Sequence, residues 1–243
     1  MQLLFPKITI AIFLAFTMMA CSQDSYTTHK IANIDEASGI SYCEDSNTLI
    51  VANDEGSFYE INTTGEPIAR YKLGDYDLEG VVCEKEQLFF AVEKGVLLLV
   101  NRQSLQTQEL KLKGKGFDLS KKSGIEGIAK VGELYYLAIQ SKDKKDAKLL
   151  IVKAGANFAK VTDTIHHNII DSAGLHYADD QLYIVSDTKN RLYVYDLKKE
   201  EIKKEINLTD FDQEGITFDN DGNVYLADDK GAVLKYNKEE LGL

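Results

Sequence analysis

Five short segments carry a glycine in the same setting: Glu36-Ala-Ser-Gly39-Ile, Asp77-Leu-Glu-Gly80-Val, Gly124-Ile-Glu-Gly127-Ile, Asp171-Ser-Ala-Gly174-Leu and Asp212-Gln-Glu-Gly215-Ile. The glycines are 41, 47, 47 and 41 residues apart, and each precedes a β-branched residue or Leu. A second landmark keeps step. After each glycine come a short strand, a turn rich in Asp, Asn, Gly or Lys, and a second strand: Thr48–Asn53, Gln87–Val92, 133–139, Gln181–Ser186 and 223–227. Each second strand runs into a polar residue, namely Asp54, Glu93, Gln140, Asp187 and Asp228, which lies 13 positions after the glycine in four copies and 15 in the first. A third strand follows in every copy and a fourth in all but the last. Helical periodicity is absent from the chain beyond residue 21. Four-stranded antiparallel units of 40–47 residues are the period of propeller blades. The expected fold is therefore all-β: a five-bladed β-propeller of four-stranded antiparallel blades. An all-β sandwich would not repeat two landmarks together.

The last copy lacks its fourth strand, because too little chain follows 232–236. A short strand at 29–34 precedes the first glycine motif, in the place where a fourth strand precedes every other one. The N-terminal strand is therefore expected to pair into the last blade, closing the ring and removing two open edges. The glycines themselves read as structural: inner strands crowd near the axis, and a residue without Cβ permits close backbone approach.

Residues 1–20 read as an export signal, with Lys7 ahead of an apolar run that is too short and too near the terminus for a comfortable span. It ends in Met18-Met19-Ala20-Cys21-Ser22, a small residue before Cys that resembles the bacterial lipobox. By that resemblance Cys21 is lipidated, and because Ser22 is not Asp the lipoprotein is sorted to the outer membrane. The alternative is ordinary signal cleavage with Cys21 passive. The divisions expected are a lipoprotein signal peptide at 1–20, lipidated Cys and tether at 21–28, and a single propeller domain at 29–243. Cys43 and Cys83 remain. An exported chain can pair them, but both lie in apolar strands where free Cys is often simply buried, and spacing alone does not fix bond geometry.

The first strand of a blade is innermost and the second returns to the same face. Glu79, Glu126 and Glu214, each just before a glycine, should therefore converge with the rim residues Asp54, Glu93, Gln140, Asp187 and Asp228 at one mouth of the channel. Crowded carboxylates repel unless protonated or neutralised by a cation, and oxygen donors without Cys or His suit calcium. The alternative is that each Glu caps backbone amides at its own strand start. His176, two residues after Gly174, is a buried packing residue or, less simply, a base at the channel mouth. His166-His167 falls on or beside an outer strand. There is no nucleophile elbow, phosphate loop or Cys-pair zinc spacing.

The ordered series Ser-Gly, Glu-Gly, Glu-Gly, small-Gly, Glu-Gly, with its strand ends, resembles the SdiA-regulated protein family over nearly all of residues 29–237. The resemblance implies a five-bladed propeller distantly similar to NHL-repeat proteins, a bound calcium ion and a place in bacterial envelopes. By matching position Glu79, Glu126 and Glu214 are the family's Glu-Gly acids, while Ala173 stands where the family usually has Ser. Two functions are open. One is a lipid-anchored, calcium-stabilised binding or scaffold protein, a monomer that presents one face to an envelope protein, peptide or glycan. The other is a calcium-dependent hydrolase of a lactone or phosphoester, for which His176 is the one imidazole near the axis. Binding is favoured, because a fold by itself licenses no activity. The formal charge of −11 argues against nucleic acid and against electrostatic attraction to anionic membranes.

Overall fold

The computed structural model describes residues 26–114, 117 and 124–243. The expected signal segment at 1–20, Cys21 and residues 22–25 lie outside the described residues. After one helical turn at 26–29, everything regular is β-structure.

Strand β1 (Lys30–Ala32) stands alone. Four-strand meanders then follow in sequence order. The first is β2 (Ala37–Cys43), β3 (Thr48–Asn53), β4 (Ser57–Asn62) and β5 (Pro67–Lys72). The second is β6 (Leu78–Cys83), β7 (Gln87–Val92), β8 (Val96–Asn101) and β9 (Thr107–Lys113). The third is β10 (Ile125–Val131), β11 (Leu134–Ile139), β12 (Lys148–Ala154) and β13 (Ala159–Ile165). The fourth is β14 (Ser172–Ala178), β15 (Gln181–Ser186), β16 (Arg191–Asp196) and β17 (Glu201–Asn207). The chain ends with β18 (Gln213–Phe218), β19 (Asn223–Asp228) and β20 (Ala232–Asn237). The expected strand positions are reproduced to within a residue or two, because turn chemistry punctuates each one.

Hydrogen bonding groups these strands into three four-stranded sheets and one eight-stranded sheet. The larger sheet arises where the outer strands β9 and β13 touch in parallel, through Leu112↔Ala159 and Lys113↔Lys160. The expected closure is present: β1 pairs antiparallel with β20 through Lys30↔Leu234 and Ala32↔Val233. Burial falls from the inside outward. β3 is buried along its whole length, whereas β5 and β17 are largely exposed.

The inner strands pack in a cycle: β2 on β6, β6 on β10, β10 on β14, β14 on β18, and β18 back on β2. The repeated glycines make this possible. A Cβ on Gly39 would stand 2.1 Å from the Glu79 carbonyl oxygen, one on Gly127 2.1 Å from that of Ala173, and one on Gly215 2.8 Å from the Ile40 nitrogen. Five apolar clusters fill the gaps between neighbouring meanders, and one of them joins the last to the first through Ile34, Leu49, Ile61, Tyr225 and Val233. Residues after the glycines plug the axis itself. Ile40, Val81, Ile128, Leu175 and Ile216 are each at most 5% exposed.

Cys43 and Cys83 are joined in a disulfide, with Cα atoms 5.4 Å apart. The pairing, which spacing alone leaves open, is thereby answered. The reason lies between units rather than within one. The glycine contacts hold β2 and β6 so close that their distal ends bring the two Cβ atoms into bonding range.

Candidate functional site

Each inner strand begins with a register irregularity at its glycine motif, between Ala37 and Gly39, Leu78 and Val81, Ile125 and Gly127, Ser172 and Leu175, and Gln213 and Gly215. A bulge leaves a residue unpaired and re-aims its side chain. Here the re-aimed residues include Glu79, Glu126 and Glu214, which come from three separate meanders and face one another. The Glu79 and Glu126 carboxyls share a hydrogen bond, and Glu79 is also repelled by Glu214. The charged groups around them are other acids, chiefly of neighbouring units for Glu79 and Glu126 and chiefly Asp229 of its own unit for Glu214. Glu79 is 7% exposed. Burial, then the neighbouring carboxylates, raises the pKa of both Glu79 and Glu126. Burial with Asp229, Glu126 and Asp187 pushes Glu214 up to about 9.

The rim residues Asp54, Glu93 and Asp187 gather at the same mouth. Asp54 donates to Glu36 and Glu93 donates to Asp77. Burial, then Asp212 and Asp171, lifts Asp187 to about 6. Asp228 does not belong to this rim. The hairpin between β18 and β19 carries one more residue than those of the second, third and fourth meanders, so counting 13 from Gly215 stops one position short. Asp228 pairs with Gln213, as Asn53 pairs with Ala37 and Ser186 with Ser172. It is fully buried and accepts a 2.6 Å hydrogen bond from the Tyr26 hydroxyl. Asp229 takes the rim position. Its N–H donates to the Asp212 carbonyl, as the Glu93 N–H does to Asp77 and the Gln140 N–H to Gly124.

A further tier was missed in the sequence although its residues stand in the motifs themselves, three positions before the glycines: Glu36, Asp77, Asp171 and Asp212. With them the mouth holds eleven acids: these four, the three inner glutamates, and Asp54, Glu93, Asp187 and Asp229. Among the described residues two lysines oppose them: Lys230, 3.0 Å from Asp212, and Lys94 beside Glu93. At the paired strand positions next to the rim, Asn53 Oδ1, Ser172 Oγ and Gln213 Oε1 have no hydrogen-bond partner. The donor set is therefore all oxygen, in keeping with a hard cation. Among the described residues no three His, Cys, Asp or Glu side chains already stand together as a metal-binding group.

The raised carboxylates set the sign of a pH effect. Their folded pKa values exceed the unfolded ones, so the folded state binds more protons, and stability falls as pH rises from about 4.5 towards the folded value near 9 for Glu214. Metal-free protein should melt about 4–8 °C higher at pH 5 than at pH 8. This corresponds to on the order of 2 kcal/mol once solvent screening at the mouth is allowed for. Scanning calorimetry at the two pH values checks it; equal or reversed melting temperatures would contradict the repulsion.

His176 lies beyond the plug, at the opposite mouth. Its neighbours are Phe218, with ring centroids 4.6 Å apart, and Thr217, whose Oγ1 stands 3.5 Å from Nδ1. Burial, then Lys238, lowers its pKa to about 4; Asp179 acts the other way, and no acid of the ring is near enough to matter. His167 is a core residue: its Nδ1 accepts the Ile169 N–H at 3.0 Å and its ring packs edge-on against Tyr195.

The fold is shared with solved structures of low sequence similarity. Glutaminyl cyclase from Myxococcus xanthus superimposes with a TM-score of 0.66 at 11% identity, over 85% of this chain and 92% of its own. A streptogramin B lyase does so with a TM-score of 0.50 at 12% identity, over 84% of this chain and 70% of its own. At these identities the likeness speaks to a propeller-like all-β architecture alone. Comparison with curated proteins finds no match. The family model described as SdiA-regulated matches residues 21–230, nearly the whole span over which the glycine series runs. The chain belongs to the SdiA-regulated family.

Proposed function

We propose that this protein is a lipid-anchored, five-bladed β-propeller of the bacterial envelope that binds calcium at its acidic mouth and acts as a binding or scaffold protein for an envelope ligand. The blade count follows from reading each meander as a blade, with β1 completing the last and the β9–β13 contact as an accident of two adjacent outer strands. The observation that carries the calcium reading is the convergence of eleven carboxylates from every unit, opposed by two lysines among the described residues and flanked by unpartnered oxygens. Glu79, Glu126 and Glu214 would hold the ion, with rim acids and carbonyl oxygens supplementing them. The ion would neutralise the ring and tie the inner strands together. A hydrolase would need a base beside that ion; the imidazole of His176 is instead separated from the ring by Ile40, Val81, Ile128, Leu175 and Ile216. Binding is therefore the better reading.

Calorimetric titration of metal-stripped protein with calcium should give a saturable heat and a higher melting temperature, since the ion would bind only the folded state. The triple variant Glu79→Gln, Glu126→Gln, Glu214→Gln should abolish both. No heat at millimolar calcium would leave the glutamates a purely structural role. The anchor is tested separately. Cys21→Ser should move the protein from the membrane fraction to the soluble periplasmic fraction, because a lipidated Cys21 is the one apolar attachment left after signal cleavage. A variant that remains membrane-bound with its signal removed would overturn the lipoprotein assignment.

A further inference from the structure

Beyond the plug, at the mouth opposite the acidic ring, lies a cavity of about 500 Å³. That volume falls within the range of pockets that enclose small molecules. Its inner wall carries Ser41, His176 and Thr217, each two residues after a repeat glycine. Each is held by a neighbour. The Ser41 hydroxyl accepts the Cys83 N–H at 3.0 Å, and the Thr217 hydroxyl accepts the Tyr42 N–H at 3.0 Å. Those bonds occupy acceptor sites and leave the Ser41 hydroxyl proton free to point elsewhere, while the Thr217 hydroxyl also meets His176 Nδ1 at 3.5 Å. With its pKa lowered to about 4, the His176 ring is neutral at physiological pH and offers one donor and one acceptor. Nearer the rim stand Tyr42 and Tyr177. Their rings are oriented by hydrogen bonds from their hydroxyls to Asn47 and Asp180, at 2.9 and 3.1 Å.

The charges around this cavity are already answered. Lys130 pairs with Glu84 at 2.8 Å and Lys238 with Asp179 at 3.2 Å. The Asp219 carboxylate accepts from Asn223 and from the Tyr225 hydroxyl, and the Glu44 carboxylate, which has no cation partner among the described residues, accepts from the Asn220 amide at 3.3 Å. No lining cation is left to meet a phosphate or carboxylate, and the floor combines hydroxyls with an uncharged imidazole. Such a surface matches a ligand with many hydroxyls and no charge, whose apolar C–H faces lie on tyrosine rings.

We propose that the cavity opposite the acidic mouth binds a neutral carbohydrate of one or two sugar units, lying against Tyr42 and Tyr177 and hydrogen-bonded to Ser41, His176 and Thr217. This rests on the binding-protein reading above but not on calcium.

The test is a carbon–proton spectrum of the histidine rings, recorded while maltose, cellobiose or N,N′-diacetylchitobiose is titrated to millimolar concentration. At least one disaccharide should shift the His176 ring signals saturably and leave those of His29 and His166 in place. Tyr177→Ala and Ser41→Ala should each weaken that binding about tenfold, the equivalent of about 1.4 kcal/mol. If Tyr177→Ala melts far below the parent, Tyr177→Leu removes the flat ring face while keeping apolar bulk. The proposal fails if none of the three disaccharides moves His176, if the variants bind as tightly as the parent, or if putrescine or glucose 6-phosphate shifts His176 at lower concentration than every disaccharide. A calcium titration of the same samples separates the two ideas. Calcium heat without a sugar response overturns the carbohydrate site alone; a sugar response without calcium heat overturns the calcium site alone.

Discussion

A chain lacking residues 22–34 should lose on the order of 5 kcal/mol of stability and melt at least about 10 °C below the parent, or fail to fold cooperatively. The segment does three things at once. β1 supplies the outermost strand of the last sheet by pairing with β20. Ile34 is 4% exposed and belongs to the apolar cluster that joins the last meander to the first. The Ile31 backbone also runs directly beneath Gly65 in the β4–β5 turn; with φ at +93°, and with a Cβ there 1.9 Å from the Ile31 oxygen, only glycine lets the chain pass. Removing the segment exposes an edge on β20 and takes Ile34 out of the cluster that joins the last meander to the first. Circular dichroism melts of the deletion and the parent decide it. An unchanged melting temperature would show that the ring holds without this strand.

The shorter deletion of residues 22–26 is a different matter once Tyr26 is seen in place. A polar tether up to Thr28 would make that deletion silent. Tyr26 instead packs edge-on against Phe211, with centroids 5.6 Å apart, and its hydroxyl is the side-chain partner of the fully buried Asp228. Loss of that donor strands a buried carboxylate, so the deletion, or Tyr26→Phe alone, should cost about 1–3 kcal/mol. Docking of the chain onto the sheets therefore begins at least as early as Tyr26.

The repeat was readable because it is local: a glycine, a β-branched residue and a turn at fixed offsets specify strand, hairpin and inner position without knowledge of neighbours. The convergence of Glu79, Glu126 and Glu214 followed from the same offsets, since equivalent residues in a cyclic array share one face. Where a count of residues stood in for register, it slipped. One extra turn residue after Phe218 moved the rim position from Asp228 to Asp229, and only the pairing Gln213↔Asp228 reveals it. The Tyr26–Asp228 hydrogen bond, spanning 202 residues, leaves no trace in local pattern. His176, expected as a packing residue or a base at the channel mouth, lies on the far side of the plug from the acids, because two residues beyond Gly174 carry it past Leu175 of that layer.

The Cys43–Cys83 bond is the other non-local feature, and its removal should have the second large effect. The two cysteines are 40 residues apart, and closing a loop of that length restricts the unfolded chain by about 4 kcal/mol in the chain-entropy account. Cys43→Ala with Cys83→Ala, or reduction of the parent, should therefore lower the melting temperature by about 8–16 °C. Strain would make the loss smaller, and a melting temperature within about 2 °C of the parent would contradict a stabilising bond. The location gives this a functional edge. Cys83 lines the 500 Å³ cavity and Ser41 holds the Cys83 N–H, so the bond pins two neighbouring walls of that mouth. It also links fold to address. A chain retained in the reducing cytosol would lack the bond, whereas export through the signal proposed at 1–20 would deliver it to a compartment where the bond forms and persists. Expression of residues 22–243 without the signal should thus yield the less stable, dithiol form. Air oxidation of that purified material should restore the parent melting temperature, because the glycine contacts have already placed the two sulfurs together.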